Sequence, residues 1–175
     1  MATTPDEIKS YLDQHGLKYR HEPGSSRFQS GFATDTYRNA DGEYTFAFSI
    51  YCDNDGQTVR LLASNIFNLS PKASAKCKTA VWQTLHRINW LSAFVHFEYD
   101  INDGEIRAVY NIHLADSPLS KDQLMRAVYR LPTAIEQCSP DIRRAIDFGI
   151  PLLDQSTYEA RFEKYIRQRS PSSAP

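Results

Sequence analysis

The sequence predicts an α+β fold, a two-layer sandwich of helices on an antiparallel sheet, and three observations carry that prediction. Two tracts of alternating apolar and polar residues each turn at an Asn-Asp-Gly. Helical periodicity precedes, separates and follows them. The turns are too short for a crossover, so consecutive strands must pair antiparallel. Their regular polar side then leaves one sheet face for helices to cover.

The first helix is punctuated at both ends. Thr4 caps it, Pro5 suits its first turn, Asp6 and Glu7 sit at its positive end and Gly16 stops it. Ile8, Tyr11, Leu12 and His15 share one face. The tract Arg27–Tyr37 reads as an irregular strand, for which a bulge is expected. Glu43–Cys52 alternates cleanly, with Tyr44, Phe46, Phe48 and Ile50 on one side. After the turn at Asp53–Gly56, Gln57–Phe67 returns with Val59, Leu61 and Ala63. Pairing Cys52 with Gln57 sets Ile50 opposite Val59 and Phe48 opposite Leu61.

Ser70-Pro71 is expected to open a second helix running to about Trp90, with Cys77, Val81, Leu85 and Ile88 inward and Lys72, Lys76, Gln83 and Arg87 outward. A second hairpin alternates Val95, Phe97 and Tyr99, turns at Asn102-Asp103-Gly104, and continues through Ile106, Ala108, Tyr110 and Ile112. Pairing Asp100 with Glu105 places Phe97 by Ala108 and Glu98 by Arg107. Ser120 and Gln123 form a capping box for a third helix carrying Leu124, Ala127, Val128 and Leu131 inward. Pro132 is expected to kink or interrupt it, and a separate short helix to run from Pro140 to Gly149.

The expected order is α-β-β-β-α-β-β-α plus a C-terminal helix. Residues 4–150 form the domain, and 151–169 an amphipathic helical extension with Tyr158, Phe162, Tyr165 and Ile166 on one face. Residues 170–175 are a Ser/Pro-rich tail expected to be disordered. The extension's apolar stripe is a candidate protein-binding surface, with docking on its own domain as the plainer reading.

Composition narrows function by exclusion. A chain of 175 residues fits one domain, and its hydrophobic and charged fractions of 41% and 23% are ordinary for a globular protein. A net charge of −1 exerts no global pull toward nucleic acid or anionic lipid. Cys52, Cys77 and Cys138 are odd in number and widely spaced, the pattern of reduced thiols in the cytosol. No stretch approaches the ~20 apolar residues that span a membrane, and the expected location is cytoplasmic.

No catalytic motif emerges. The loop Asp100-Asn102-Asp103-Gly104 has its glycine fifth, where a calcium-binding EF-hand loop requires it sixth. His96-Phe97-Glu98 matches half of a zinc deaminase signature, but Cys138-Ser139-Pro140 cannot supply the other half. His96 and His113 fall on one sheet face without a third ligand. No metal or cofactor is expected. Gly56–Phe97 holds no acidic residue, and its Lys72, Lys76, Lys78 and Arg87 make a candidate basic patch beside Trp82. Five cations over forty-two residues read better as a solvated helix face than as a nucleic-acid track.

The stretch Phe97-Glu98-Tyr99-Asp100-Ile101-Asn102-Asp103-Gly104-Glu105-Ile106-Arg107, following Ile88-Asn89-Trp90, resembles the YbjN family from roughly Asp6 to Gly149. Trp90 stands where many members carry Tyr, and the C-terminal helix is additional. The resemblance implies a fold similar to type III secretion chaperones and supplies no catalytic residues to carry over. Those chaperones are usually homodimers that hold an extended segment of a client. The expected function is therefore a non-enzymatic, chaperone-like or regulatory module that binds another protein as a homodimer. A small enzyme joining His96, His113 and carboxylates, and a nucleic-acid binder using the basic helix, are the alternatives.

Overall fold

The computed structural model describes residues 2–115 and 117–152. The elements run α1 (Pro5–Gln14), β1 (Arg20–His21), β2 (Arg27–Ala33), β3 (Thr45–Asp53), β4 (Thr58–Asn68), α2 (Ala75–Leu91), β5 (Val95–Tyr99), β6 (Glu105–His113) and α3 (Lys121–Phe148). The strands form one six-stranded antiparallel sheet in the order β1-β2-β3-β4-β6-β5. One strand more than expected precedes α2, because the two-residue β1 is too short to show a period.

Local chemistry places α1 where expected. Thr4 Oγ1 accepts the Glu7 N–H at 3.2 Å and the Glu7 carboxylate accepts the Thr4 N–H at 2.9 Å, a reciprocal cap. Ile8 and Leu12 are fully buried, whereas His15 is exposed and rests against the Tyr129 ring. Tyr44 lies just before β3 and is 45% exposed, so the inward face of that strand starts at Phe46.

The second hairpin has the expected register, with Phe97 opposite Ala108 and Glu98 opposite Arg107. The first does not. Asp53 pairs with Thr58 and Ile50 with Leu61, a shift of two residues. The cause is a 3₁₀ turn at Asn54–Gly56, where three successive residues take positive φ and the Gln57 N–H closes onto the Asn54 carbonyl. A two-residue shift preserves parity, so every apolar side chain keeps its face.

The expected bulge in the first long strand is absent, since β2 pairs without interruption from Arg27↔Tyr51 to Ala33↔Thr45. The irregularity sits in β4 against β6, between Ala63 and Phe67. Asn65 absorbs it with φ +50°, a value asparagine tolerates better than most residues. The fully buried Tyr37 hydroxyl satisfies the Ile66 carbonyl there, at 2.8 Å.

Helix α2 starts at Ala75 rather than Ser70, because Ser74 supplies the cap to the Cys77 N–H. Val81, Leu85 and Ile88 are buried as expected, while Cys77 is half-buried. Helix α3 contains Pro132 and Pro140 and runs through both without a break. A proline leaves the carbonyl four residues earlier unbonded. For Pro140 that carbonyl belongs to Glu136, and the Thr36 hydroxyl donates to it at 3.0 Å. Near Pro132, Thr133 Oγ1 bonds back to the Tyr129 carbonyl at 2.8 Å. Glu136 itself is buried, and its carboxylate accepts the backbone N–H groups of Asp35, Thr36 and Tyr37 as well as the Thr36 hydroxyl. One turn of α3 thereby anchors residues 35–37 of the β2–β3 connection.

The buried side chains of all three helices join the inward sheet residues in one core, with Phe28, Phe48, Ile50 and Leu61 meeting Ile88, Leu131 and Ile135. The opposite sheet face points away from that core.

Candidate functional site

The outward face is built by strand parity. Gln29, Ser49, Leu62, Val109 and His96 stand side by side in one row across five strands. In the neighbouring row Arg27, Tyr51, Arg60 and Asn111 are aligned. Gln29, Gly31, Ala47, His96 and Asn111 are exposed. A groove of about 720 Å³ opens here, with a floor of Gly31, Ala47, Ser49, Leu62 and Ser64. The floor is low where Gly31, Ala47, Ser49 and Ser64 place small side chains. Gly31 must be glycine for a second reason, since a Cβ would stand 2.8 Å from the Phe46 carbonyl oxygen.

Lys18 and Arg20 form one rim and Arg27 lies beside them. No carboxylate is found among the described residues lining the groove. Arg27 is held in place, its Nε donating to Ser49 Oγ at 3.0 Å and its guanidinium 5.5 Å from the Tyr51 ring. Arg60 approaches the same ring to 4.7 Å and is paired with Asp53 at 2.9 Å. Beneath the rim, the Tyr19 hydroxyl donates to Asp13 at 2.6 Å. Burial first, and then that hydrogen bond, raise the Tyr19 pKa.

The residues singled out in the sequence fall elsewhere. Lys72 lies exposed in the loop before α2, and the Lys76 side chain packs beside Gly149. Lys78 Nζ donates to the Pro71 carbonyl at 2.7 Å, and Arg87 is half-buried. At 100° per residue Lys76 and Lys78 diverge by 200°, so these cations do not line a single track. Tyr158, Phe162, Tyr165 and Ile166 lie outside the described residues.

The motif-like residues have local partners. Asp100 Oδ1 accepts from the Asn102 backbone and side chain at 2.8 and 2.9 Å, and Asp103 Oδ1 accepts the Glu105 N–H. A Cβ at Gly104, with φ +84°, would stand 2.0 Å from the Leu69 carbonyl oxygen. Glu98 is bonded to Arg107 at 2.7 Å. His96 faces Val109 and His113 faces Thr58, four positions apart along β6, so the two imidazoles are not brought together. Among the described residues no cluster of three metal-ligating side chains occurs. The Cys52 thiol is pushed up by burial first and by Asp53 and Glu7 next, which keeps it protonated and poorly nucleophilic.

A family described as "Putative bacterial sensory transduction regulator" matches residues 4–144. The chain belongs to the YbjN family. It is also similar to the crystal structure of YbjN, a putative transcription regulator from E. coli, at 13% identity and a TM-score of 0.56. That similarity covers 82% of this chain and 92% of that one. The structure of the HopA1-SchA chaperone-effector complex is similar at 14% identity and a TM-score of 0.44, over 77% of this chain and 88% of that one. No curated protein matches. No described helix of this YbjN-family chain is long and apolar enough to cross a membrane.

The groove escaped the sequence reading because its parts come from four separated strands. The available signal was the small outward residues at alternate positions, Gly31 with Ala33 and Ala47 with Ser49.

Proposed function

We propose that this chain is a non-enzymatic, chaperone-like or regulatory module of the cytoplasm that engages another protein through its outward sheet face. The observation carrying this reading is the groove of about 720 Å³ on the face the core does not use. A concave surface with small floor residues and a polar rim is suited to receiving a chain, and concave sites are where ligands concentrate. The local pairing of Asp100, Asp103 and Glu98, with His96 and His113 set apart on the sheet, supports a binding role over a catalytic one.

Self-association belongs to the same proposal. Trp82 and Trp90 on α2 are 57% and 76% exposed, and large apolar side chains left in water favour a covering surface. Two copies meeting through α2 leave both sheet faces open for partners. Light scattering should report twice 20.0 kDa, about 40 kDa. A 20.0 kDa species at high micromolar protein and low salt contradicts the dimer.

Affinity purification of the untagged chain on an antibody, followed by mass spectrometry and metal and nucleotide assays, tests the main reading. The expected result is a co-purifying polypeptide in near-stoichiometric amount. A stoichiometric metal or nucleotide instead would overturn it.

A further inference from the structure

We infer that the groove on the outward sheet face takes an extended segment of the partner in which carboxylates alternate with small apolar residues. This deepens the protein-binding reading above and rests on it.

Charge is the first reason. The chain as a whole is at −1, yet the groove gathers Lys18, Arg20 and Arg27 without one carboxylate among the described residues lining it. Arg20 has the outward parity of β1, because it pairs with the outward Gln29, and Lys18 lines the groove beside it. Both are exposed, so the rim presents positive charge to whatever occupies the floor, the neighbouring carboxylates being Asp13 on Tyr19 and Glu105 on Asn65.

Shape is the second. Gly31 and Ala47 leave the apolar floor low beside the half-buried Leu62, which lets a main chain approach closely. An extended segment sends successive side chains to opposite sides, so apolar residues meet that floor while acidic ones reach the rim. Carboxylate oxygens there receive guanidinium and ammonium donors, the stronger class of hydrogen bond.

The same geometry disfavours a nucleic acid. Single strands bind by stacking bases on open aromatic faces. Of the aromatic residues lining the groove, Tyr37, Phe46 and Phe48 are buried and Tyr19 packs edge-on against Phe28, while Tyr51 in the adjoining row is flanked by the guanidiniums of Arg27 and Arg60. Arg60 is in turn neutralised by Asp53. Three rim cations also make a short electrostatic footprint.

Fluorescence anisotropy with the full chain tests the inference. The probes are a labelled decapeptide of alternating Val and Glu, its Val-Lys counterpart, and decathymidylate. The Val-Glu peptide should bind and the Val-Lys peptide should not, with affinity falling as salt rises. The double reversal Lys18→Glu, Arg20→Glu should weaken binding at least tenfold. Ala47→Phe, at an exposed position, should do the same by filling the floor, whereas Lys72→Glu should change nothing. Equal binding of both peptides, indifference to the rim reversal, or tighter binding of decathymidylate would each overturn the assignment. Polypeptides captured equally well by the native, Ala47→Phe and rim-reversed chains would overturn the groove while leaving the protein-binding reading standing.

Discussion

Glu136 is a carboxylate buried in a 28-residue helix, and it is there to hold a loop. Three consecutive backbone N–H groups and the Thr36 hydroxyl converge on it, and the Thr36 hydroxyl also reaches its carbonyl. Glu136→Ala leaves those donors unpaired, at a cost of about 2–4 kcal/mol in urea unfolding. A loss below about 1 kcal/mol would mean that water already serves them. Tyr37, whose N–H is one of those donors, carries a phenol with a shifted titration of its own. Burial raises its pKa above the ordinary tyrosine value. The folded state therefore holds the phenolic proton more tightly than the unfolded state. The stability it contributes is complete below about pH 10 and is lost as pH climbs through the raised value. Tyr37→Phe should lose about 1 kcal/mol at pH 8 with the Ile66 hydrogen bond, and then decline less steeply between about pH 9 and 11. An unchanged alkaline slope in denaturant titrations would assign the decline to other groups.

At the scale of elements, the β5 edge of the sheet is capped by a side chain. On β5 the Asn89 side chain donates to the Phe97 carbonyl at 2.9 Å and accepts the Phe97 N–H at 2.8 Å, so one amide closes the middle of that edge. Asn89→Ala should cost about 1–2 kcal/mol and promote concentration-dependent association, because an edge strand with free N–H and C=O groups recruits other strands. Analytical ultracentrifugation of the folded variant reads the second effect, and an unchanged profile would show the edge protected by other means. Asn89 belongs to the Ile88-Asn89-Trp90 run noticed in the sequence, though nothing in the run announces an edge cap. Parity was legible in the hairpins: every outward residue of the second stands where alternation puts it, and the two-residue shift at Ile50 and Leu61 changed no face. Continuity of α3 was not legible, because the donor for the carbonyl that Pro140 frees is Thr36, about a hundred residues away. The bulge was misplaced for a similar reason, since Ser64-Asn65-Ile66 departs from alternation only where Tyr37 and β6 meet it.

For the whole molecule, the layering divides labour. Helices bury one sheet face, and among the described residues the other lies outside the core. Its floor depends on Gly31, Ala47, Ser49, Leu62 and Ser64 arriving side by side, which no local pattern reveals until registers are known. The candidate basic residues on and just before α2 stood out in the sequence because they are close along the chain. Lys18, Arg20 and Arg27 did not, although folding gathers them at one groove. The central claim is that partners contact this outward face. A photo-crosslinking amino acid placed at position 47, and separately at position 83 on α2, tests it within cells. The account predicts covalent adducts with a distinct polypeptide from position 47. Adducts with a distinct polypeptide from position 83 alone would contradict it.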